Sequence, residues 1–262
     1  MTNKNKLLIS SSAKNTIRDS VLLAQELGTG IEISRVPLFK NKNLTVNDTI
    51  EILNKDLVDF KDRVTLHAMF SDVNVASSDC LLREIAQQRC MESLEIGKGI
   101  KADTVLFHTG NKGTKHYGSI EIFKKNFISF WREFIKEFEK VNIIAVIENV
   151  FETSPQFCLD LFEKIDSPYL KLALDCGHVN LYAHDTNVIE WLDAYGNNLY
   201  HLHIHNNFRE NDDHSNLNNG TLDYATILKK IKESKIDPTF VLEMFTEEDI
   251  RKSVDIFNKI MF

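Results

Sequence analysis

The chain of 262 residues is long enough for one barrel-sized α/β domain or for two small domains, and no linker-like stretch divides it. Its 43% hydrophobic and 26% charged residues exclude a disordered chain. The net charge of −7, without a dense run of Lys or Arg, disfavours nucleic acid as a partner. We therefore expect a single domain over residues 1–262 that acts on a small molecule.

The cysteines and the apolar segments indicate the compartment. The four cysteines form no CxxC pair, which suits reduced thiols in a cytosolic protein better than a disulfide framework. The start, MTNKNKLLIS, has too short an apolar run for a signal peptide, and no segment approaches the ~20 apolar residues of a membrane span. We expect a cytoplasmic protein without a membrane partner, and its oligomeric state stays open.

Short apolar runs alternate with longer amphipathic segments along the whole chain. Such alternation predicts βα units arranged around a parallel sheet. The eight predicted strands are Lys6–Ser10, Gly30–Ser34, Arg63–His67, Thr104–His108, Ile143–Glu148, Leu170–Asp175, Leu199–His203 and Thr239–Glu243.

Segments of helical periodicity lie between the strands. The clearest runs from Ile120 to Lys140, and we interpret its aromatic stripe as core rather than as a cofactor-stacking surface. The strict alternation predicts a single (β/α)8 barrel of the TIM type, with a doubly wound open sheet as the alternative. Further predicted helices are Asp48–Leu57, Ser78–Ile100, Ser154–Ile165, Thr186–Tyr195, Asp223–Ser234 and Glu247–Lys259.

The last six predicted strands each end in a side chain that can bind a metal ion. These residues are His67, His108, Glu148, Asp175, His203 and Glu243. Taken singly, each has an ordinary interpretation as a helix cap, a turn residue or a hydrogen-bonded core histidine. The strand ends of a parallel barrel converge on one mouth, however, where adjacent buried charges are costly unless a cation neutralises them. We therefore predict a metal site at the C-terminal face of the barrel.

The stretch from Leu199 to Asp223 holds four of the nine histidines. His201, His203 and His205 recur at period two, so they share one face of a strand. In the loop that follows, Asp212, Asp213 and His214 place carboxylates and an imidazole within reach of each other. A solvated strand with a polar loop is the alternative, and the ligands at the other strand ends favour a metal.

These motifs resemble the xylose-isomerase-like barrel superfamily, which includes endonuclease IV and many sugar isomerases and epimerases. The resemblance covers nearly the whole chain. The matching motifs are LHAMFSDVN at His67, LFHTG at His108, IENV at Glu148, LDCGH at Asp175 and His178, HIHNN at His203, DDH at Asp212 to His214, and LEM at Glu243.

The resemblance to endonuclease IV-like proteins implies two or three divalent ions. Imidazoles mixed with carboxylates, without a thiolate, indicate Zn or Mn. The Asp-x-His spacing selects Asp212 over Asp213. The implied ligand sets are His67, His108 and Glu148 for one ion, Glu148, Asp175, His203 and Glu243 for a second, and His178, Asp212 and His214 for a third.

Such a three-ion site suits phosphoester hydrolysis, because the ions activate a water and stabilise the departing oxygen. We therefore expect hydrolysis of a small phosphoester such as a sugar phosphate or a phosphodiester. The first alternative is a metal-dependent sugar or sugar-phosphate isomerase or epimerase in which Glu148 and Glu243 move the proton as an acid/base pair. A metal-free binding barrel is the second alternative, and the presence of every ligand type argues against it.

Departures from the endonuclease pattern argue against abasic DNA as the substrate. The beginning, LLISSSAKNT, lacks the small-residue loop of DNA-binding relatives. Asn206 stands where relatives carry Asp, and Asn218, Asn219 and Gly220 replace Gly-Glu-Gly.

Basic residues near the predicted mouth are candidates for substrate binding. Arg209 follows His203 by six residues, a spacing similar to that of a substrate-binding arginine in ketose epimerases. It could equally hold a phosphate bidentately, and a solvated loop arginine is the alternative. Lys112, with Lys115 and His116 in the loop after His108, is a second candidate for phosphate contact, and simple solvation of these residues is the alternative.

Overall fold

The computed structural model describes residues 6–112 and 119–262. Its eight strands are β1 Leu7–Ser10, β2 Gly30–Ile33, β3 Val64–His67, β4 Thr104–His108, β5 Ile144–Glu148, β6 Leu170–Asp175, β7 Leu199–Ile204 and β8 Thr239–Leu242. They pair in this order, all in parallel, and β8 closes onto β1. The closed barrel confirms the predicted fold class and excludes the open sheet.

Helices follow the strands along the chain. Two of them, the helices Ile17–Leu27 and Cys176–Tyr182, are absent from the sequence-based prediction. The helices within the described residues are α1 Ile17–Leu27, α2 Val46–Asp56, α3 Cys80–Gly99, α4 Ser119–Val141, α5 Pro155–Ile165, α6 Cys176–Tyr182, α7 Val188–Tyr195, α8 Tyr224–Ser234 and α9 Glu247–Met261.

Each unpredicted helix has a local cause. The hydroxyl of Thr16 caps α1 by accepting a hydrogen bond from the backbone N–H of Asp19, and Gly28 ends the helix in the left-handed conformation. Helix α6 begins directly after β6, where the Asp175 carboxylate accepts a hydrogen bond from the backbone N–H of His178. The motif that supplies ligands at the end of β6 therefore also starts a helix.

The aromatic stripe of α4 belongs to the core, as the periodicity predicts. Phe127, Trp131 and Phe138 are buried, and Phe107 of β4 packs edge-on against Trp131 with ring centroids 5.2 Å apart. Burying such rings removes a large apolar area from water, which stabilises the contact between helix and barrel.

Period-two alternation directs one set of strand residues toward the barrel interior. A small apolar cluster of Leu106, Val146 and Ala173 is separate from the main core. Near it, polar side chains are fully buried, among them Glu32 and His201. An interior that carries charged groups directly beneath the mouth distinguishes this barrel from one filled by branched apolar residues.

Candidate metal centre

The carboxyl ends of the strands place the predicted ligands at one mouth. His67, His108, Glu148 and Asp175 are the last residues of β3 to β6. His203 lies one residue before the end of β7, because that strand continues to Ile204, and Glu243 directly follows β8. The side chains form overlapping groups in which nitrogen and oxygen atoms lie within 4.8 Å of one another.

His203 occupies the middle of the first group. Its Nδ1 lies 2.6 Å from Glu148 Oε1, 3.1 Å from Glu243 Oε2 and 3.8 Å from Asp175 Oδ2. Burial disfavours the charged imidazole, but Glu148 and Glu243 outweigh burial and hold the pKa of His203 well above its usual value. Three carboxylates at the ends of three strands therefore converge on one nitrogen.

Behind His203 lies Glu32 of β2, which the sequence analysis did not select. Its Oε1 lies 2.9 Å from His203 Nε2, while its Oε2 lies 3.0 Å from His201 Nε2 and accepts a hydrogen bond from Thr65. Although burial opposes the charge, the two histidines hold the pKa of Glu32 well below its usual value. The only sequence feature that points to Glu32 is its position as a single acidic residue within the apolar strand GIEI.

A second group consists of His67, His108 and Glu148. His108 Nε2 lies 2.9 Å from Glu148 Oε2, and His67 Nε2 lies 3.9 Å from the same oxygen. His67 Nδ1 lies 2.9 Å from the carbonyl oxygen of Ala68 and donates to it, so Nε2 is the nitrogen that faces Glu148. Burial lowers the pKa of His108, which favours the neutral ring that a metal ion requires.

A third group joins His178 of α6 to the loop that follows β7. Asp212 Oδ2 lies 3.4 Å from His178 Nε2 and 3.2 Å from His214 Nε2. The Nδ1 atoms of the two rings donate to the carbonyl oxygens of Asn149 and Glu243, respectively. His205, which the sequence analysis placed on the strand face without a ligand role, belongs to the same group.

The buried atoms of these groups fit a metal ion. Both oxygens of Glu148, Nε2 of His108 and Nδ1 of His203 are buried without a hydrogen bond, although they lie 2.6–2.9 Å from one another in pairs. Buried polar atoms rarely lack a partner, so potential ligand atoms that converge without hydrogen-bonding geometry fit a cation between them. Carbonyl oxygens that fix the outer nitrogens of His67, His178 and His214 are the usual support of metal-binding imidazoles. The mixture of imidazole and carboxylate suits Zn or Mn.

The two basic residues predicted to bind substrate lie outside these groups. Lys112 pairs with Asp72 at 2.8 Å, and both side chains are exposed. Arg209 donates from Nε to Asn180 Oδ1 at 3.0 Å and has a positive φ of 68° in an exposed part of the loop. Lys115 and His116 lie outside the described residues.

The loop after β7 explains one departure from the endonuclease pattern and one glycine that the chain keeps from it. The Asn206 amide donates to the carbonyl oxygens of Leu217 and Leu222, and its oxygen accepts from the backbone N–H groups of Asn207 and Leu222. An aspartate could not donate in this way. At Gly220 a Cβ would lie 2.2 Å from Asn206 Oδ1, so glycine is required there.

A cavity of about 380 Å³ opens beside Glu243. Its size is within the range of pockets that hold small ligands. Glu243 is the one predicted metal ligand among the described residues that line it. The lining residues are Ser12, Ser34, Arg35, Val36, Phe39, Lys40, Ala68, Met69, Phe70, Ser71, Glu243 and Phe245.

Comparison with known proteins identifies the family. The sequence model of the xylose isomerase-like TIM barrel family matches residues 21–260. The chain therefore belongs to the xylose isomerase-like TIM barrel family.

Solved structures share this fold. A D-tagatose 3-epimerase-like protein superposes with a TM-score of 0.84 at 22% identity, covering 98% of this chain and 97% of its own. The TTHB071 protein of Thermus thermophilus, from a crystal soaked with ZnCl2, superposes with a TM-score of 0.79 at 20% identity, covering 97% of this chain and 96% of its own. D-Psicose 3-epimerase of Clostridium cellulolyticum H10, with D-tagatose, superposes with a TM-score of 0.77 at 15% identity, covering 98% of this chain and 99% of its own. In the described part of the chain, no helix has the length and apolar character needed to cross a membrane.

Proposed function

We propose that the chain is a metal-dependent epimerase or isomerase of a small sugar, with Glu148 and Glu243 as its acid/base pair. The observation that carries this proposal is the position of the two carboxylates, which approach His203 Nδ1 from different strands at 2.6 and 3.1 Å. Similarity of the fold to a D-tagatose 3-epimerase-like protein and to a D-psicose 3-epimerase supports it. It replaces the phosphoester hydrolase, which the comparisons do not support.

The residues of this chain would have different roles in the proposed reaction. Glu148, Asp175, His203 and Glu243 would hold the ion, which supplies positive charge beside the sugar oxygens and so acidifies the neighbouring C–H bond. Glu243 faces the cavity and would take the proton from that carbon. Glu148 would pass a proton from solvent to the opposite face of that carbon, and exchange with solvent would reset both groups.

The cavity would hold the remainder of the sugar. Phe70 and Phe245 provide apolar surface, while the Ser12 and Ser34 hydroxyls can exchange hydrogen bonds with sugar hydroxyls. Arg35 donates to the carbonyl oxygens of Ser12 and Lys14, so it fixes the loop after β1 against β2. These contacts would orient the reacting carbon toward Glu243 and exclude water from it.

Product analysis tests the proposal. Protein loaded with Mn or Zn is incubated with a panel of ketoses and of phosphoesters, and products are identified by NMR. We expect an epimer or isomer of one sugar, and loss of its formation by about 100-fold or more in Glu243→Gln. Glu210→Gln, an exposed acid of the loop after β7, is the matched control. Release of phosphate without sugar interconversion would reject the proposal.

Phosphoester hydrolysis remains the second candidate because two ligand groups lie beyond the set that an epimerase needs. Under that function an ion at His178, Asp212 and His214 would stabilise the leaving oxygen. His214→Ala would then reduce turnover of a phosphoester roughly 100-fold, the usual cost of removing one charge-stabilising group. Near-normal hydrolysis by that variant would reject this candidate.

A further inference from the structure

The cavity beside Glu243 is lined by more positive than negative side chains. Arg35 and Lys40 are its cations, and Glu243 is the one carboxylate among the described lining residues. The Glu243 carboxylate belongs to the metal-ligand group, where its Oε2 lies 3.1 Å from Nδ1 of His203. Although the chain has a net charge of −7, this cavity therefore presents two cations to a ligand that enters it.

Arg35 lies just past the end of β2 and is held in place by backbone carbonyl groups. Its Nη1 donates to the carbonyl oxygen of Lys14 at 3.1 Å, and its Nη2 donates to that of Ser12 at 2.8 Å. The side chain is half-buried, and it forms no ion pair with the residues that the structure describes. A guanidinium has more N–H donors than these two bonds use. Arg35 is therefore a fixed cation with unused donors at the cavity wall.

Serine hydroxyls from the ends of β1 and β2 belong to the same wall. Ser12 and Ser34 both line the cavity. Ser12 Oγ donates to Ser10 Oγ at 2.9 Å, while Ser34 Oγ lies 3.1 Å from Ser10 Oγ and 3.2 Å from Ser11 Oγ. A hydroxyl can rotate its hydrogen from one acceptor to another. The Ser12 and Ser34 hydroxyls can therefore donate to a negatively charged oxygen in the cavity.

We infer that this wall binds an anionic end of the substrate, a phosphate or a carboxylate, and that the site acts on a charged sugar. A guanidinium holds the oxygens of either group by charge-assisted hydrogen bonds. Glu243 follows β8 and Arg35 follows β2, and β1 lies between these two strands. Neighbouring strands are about 4.8 Å apart, so roughly 10 Å separates the two strand ends, a length that an extended sugar with a charged terminal group spans.

The inference rests on the proposed function and narrows the class of sugar. An uncharged ketose would use neither Arg35 nor Lys40 as a cation. A charged terminal group would be held at Arg35 while the reacting carbon lies at Glu243. Binding energy from the remote group would then orient the reacting carbon.

Equilibrium dialysis tests the anion subsite by binding, without depending on turnover. The metal-loaded protein is dialysed against D-fructose, D-fructose 6-phosphate and D-fructuronate, which differ only at the terminal carbon. We expect one of the charged ligands to bind at least about tenfold more tightly than D-fructose, because charge-assisted hydrogen bonds are the stronger ones. The ligand that shows this gain identifies phosphate or carboxylate as the anion. Equal affinity for the three ligands would overturn the inference.

Substitution of Arg35 assigns the gain to this wall. Arg35→Gln should bind the charged ligand within about twofold of D-fructose and keep its affinity for D-fructose, because the amide lacks the charge. Arg18→Gln is the matched control, since Arg18 is also half-buried and donates to the carbonyl oxygens of Asp56 and Val58, but does not line the cavity. A gain that persists in Arg35→Gln, or an equal loss for all three ligands, would overturn the inference.

A crystal structure of the unmodified, metal-loaded protein with the tighter ligand keeps the inference testable if Arg35→Gln does not fold. A phosphate or carboxylate oxygen should lie about 2.7–2.9 Å from a guanidinium nitrogen of Arg35. A charged group bound to the metal ions or outside this cavity would overturn the inference. If this contact is present but no sugar is interconverted, the proposed reaction is wrong and the anion subsite stands.

Discussion

The Glu32 carboxylate accepts a hydrogen bond from Nε2 of His203 at 2.9 Å, across the barrel from β2 to β7. This contact fixes the proton on Nε2 and leaves Nδ1 as the nitrogen that faces Glu148 and Glu243. A buried carboxylate that orients an imidazole in this way also raises its basicity toward a metal ion.

Glu32→Gln should therefore weaken metal binding at the His203 site by about 10- to 100-fold, because the ring loses its charged partner. Titration with Mn and a competing chelator measures the change, with circular dichroism as a check on folding. Glu51→Gln, an exposed residue of α2, should bind metal like the unmodified protein. If both variants keep full affinity, Glu32 does not position His203.

The charge on His214 should contribute to the stability of the metal-free protein. Burial disfavours this charge, but the hydrogen bond to Asp212 and the carboxylate of Glu243 outweigh burial and raise the pKa to about 9. A raised pKa gives stability that is fully present below the unfolded value near 6.5 and is lost as pH rises through about 9.

Urea unfolding with a chelator present measures this contribution. The difference in unfolding free energy between the unmodified protein and His214→Gln should be a few kcal/mol at pH 6, since one pKa unit corresponds to about 1.4 kcal/mol. This difference in unfolding free energy should be smaller at pH 10. A difference that stays constant over this range would contradict the pKa assignment.

Of the two basic residues predicted to contact substrate, Lys112 should be dispensable. Its pair with Asp72 is exposed, and pairs of this kind contribute at most about 1 kcal/mol. We expect kcat/KM of Lys112→Ala to stay within about twofold of the unmodified value. Arg209→Ala, which also removes the contact with Asn180, is the comparison, and an increase in KM confined to Arg209→Ala would support the arginine as the substrate contact.

The barrel and most of the mouth follow from local patterns in the sequence. Because strands β3 to β6 each end in a ligand, the rule that parallel strand ends share one face places His67, His108, Glu148 and Asp175 together. The boundaries shift by one residue at several strands, as at β8, where Glu243 lies just past the last paired residue.

The contacts that the sequence did not predict join residues across the barrel or through its loops. Glu32 lies on β2, which is not a neighbour of β7, so no spacing within the chain relates it to His203. The approach of Asp212 to His205 likewise depends on the path of the loop after β7. The exposed pairing of Lys112 with Asp72 also depends on the path of a loop, and the periodicity of the sequence does not predict that path.

The central claim is that Glu148 and Glu243 move a proton between the two faces of a sugar carbon. Incubation of the metal-loaded protein with its ketose in D2O, followed by mass spectrometry and NMR, tests this claim most directly. We predict one solvent deuterium at the interconverted carbon, with loss of the label in Glu148→Gln and Glu243→Gln and its retention in Glu210→Gln. Turnover of any substrate without deuterium at carbon, or full labelling by both glutamine variants, would contradict the account.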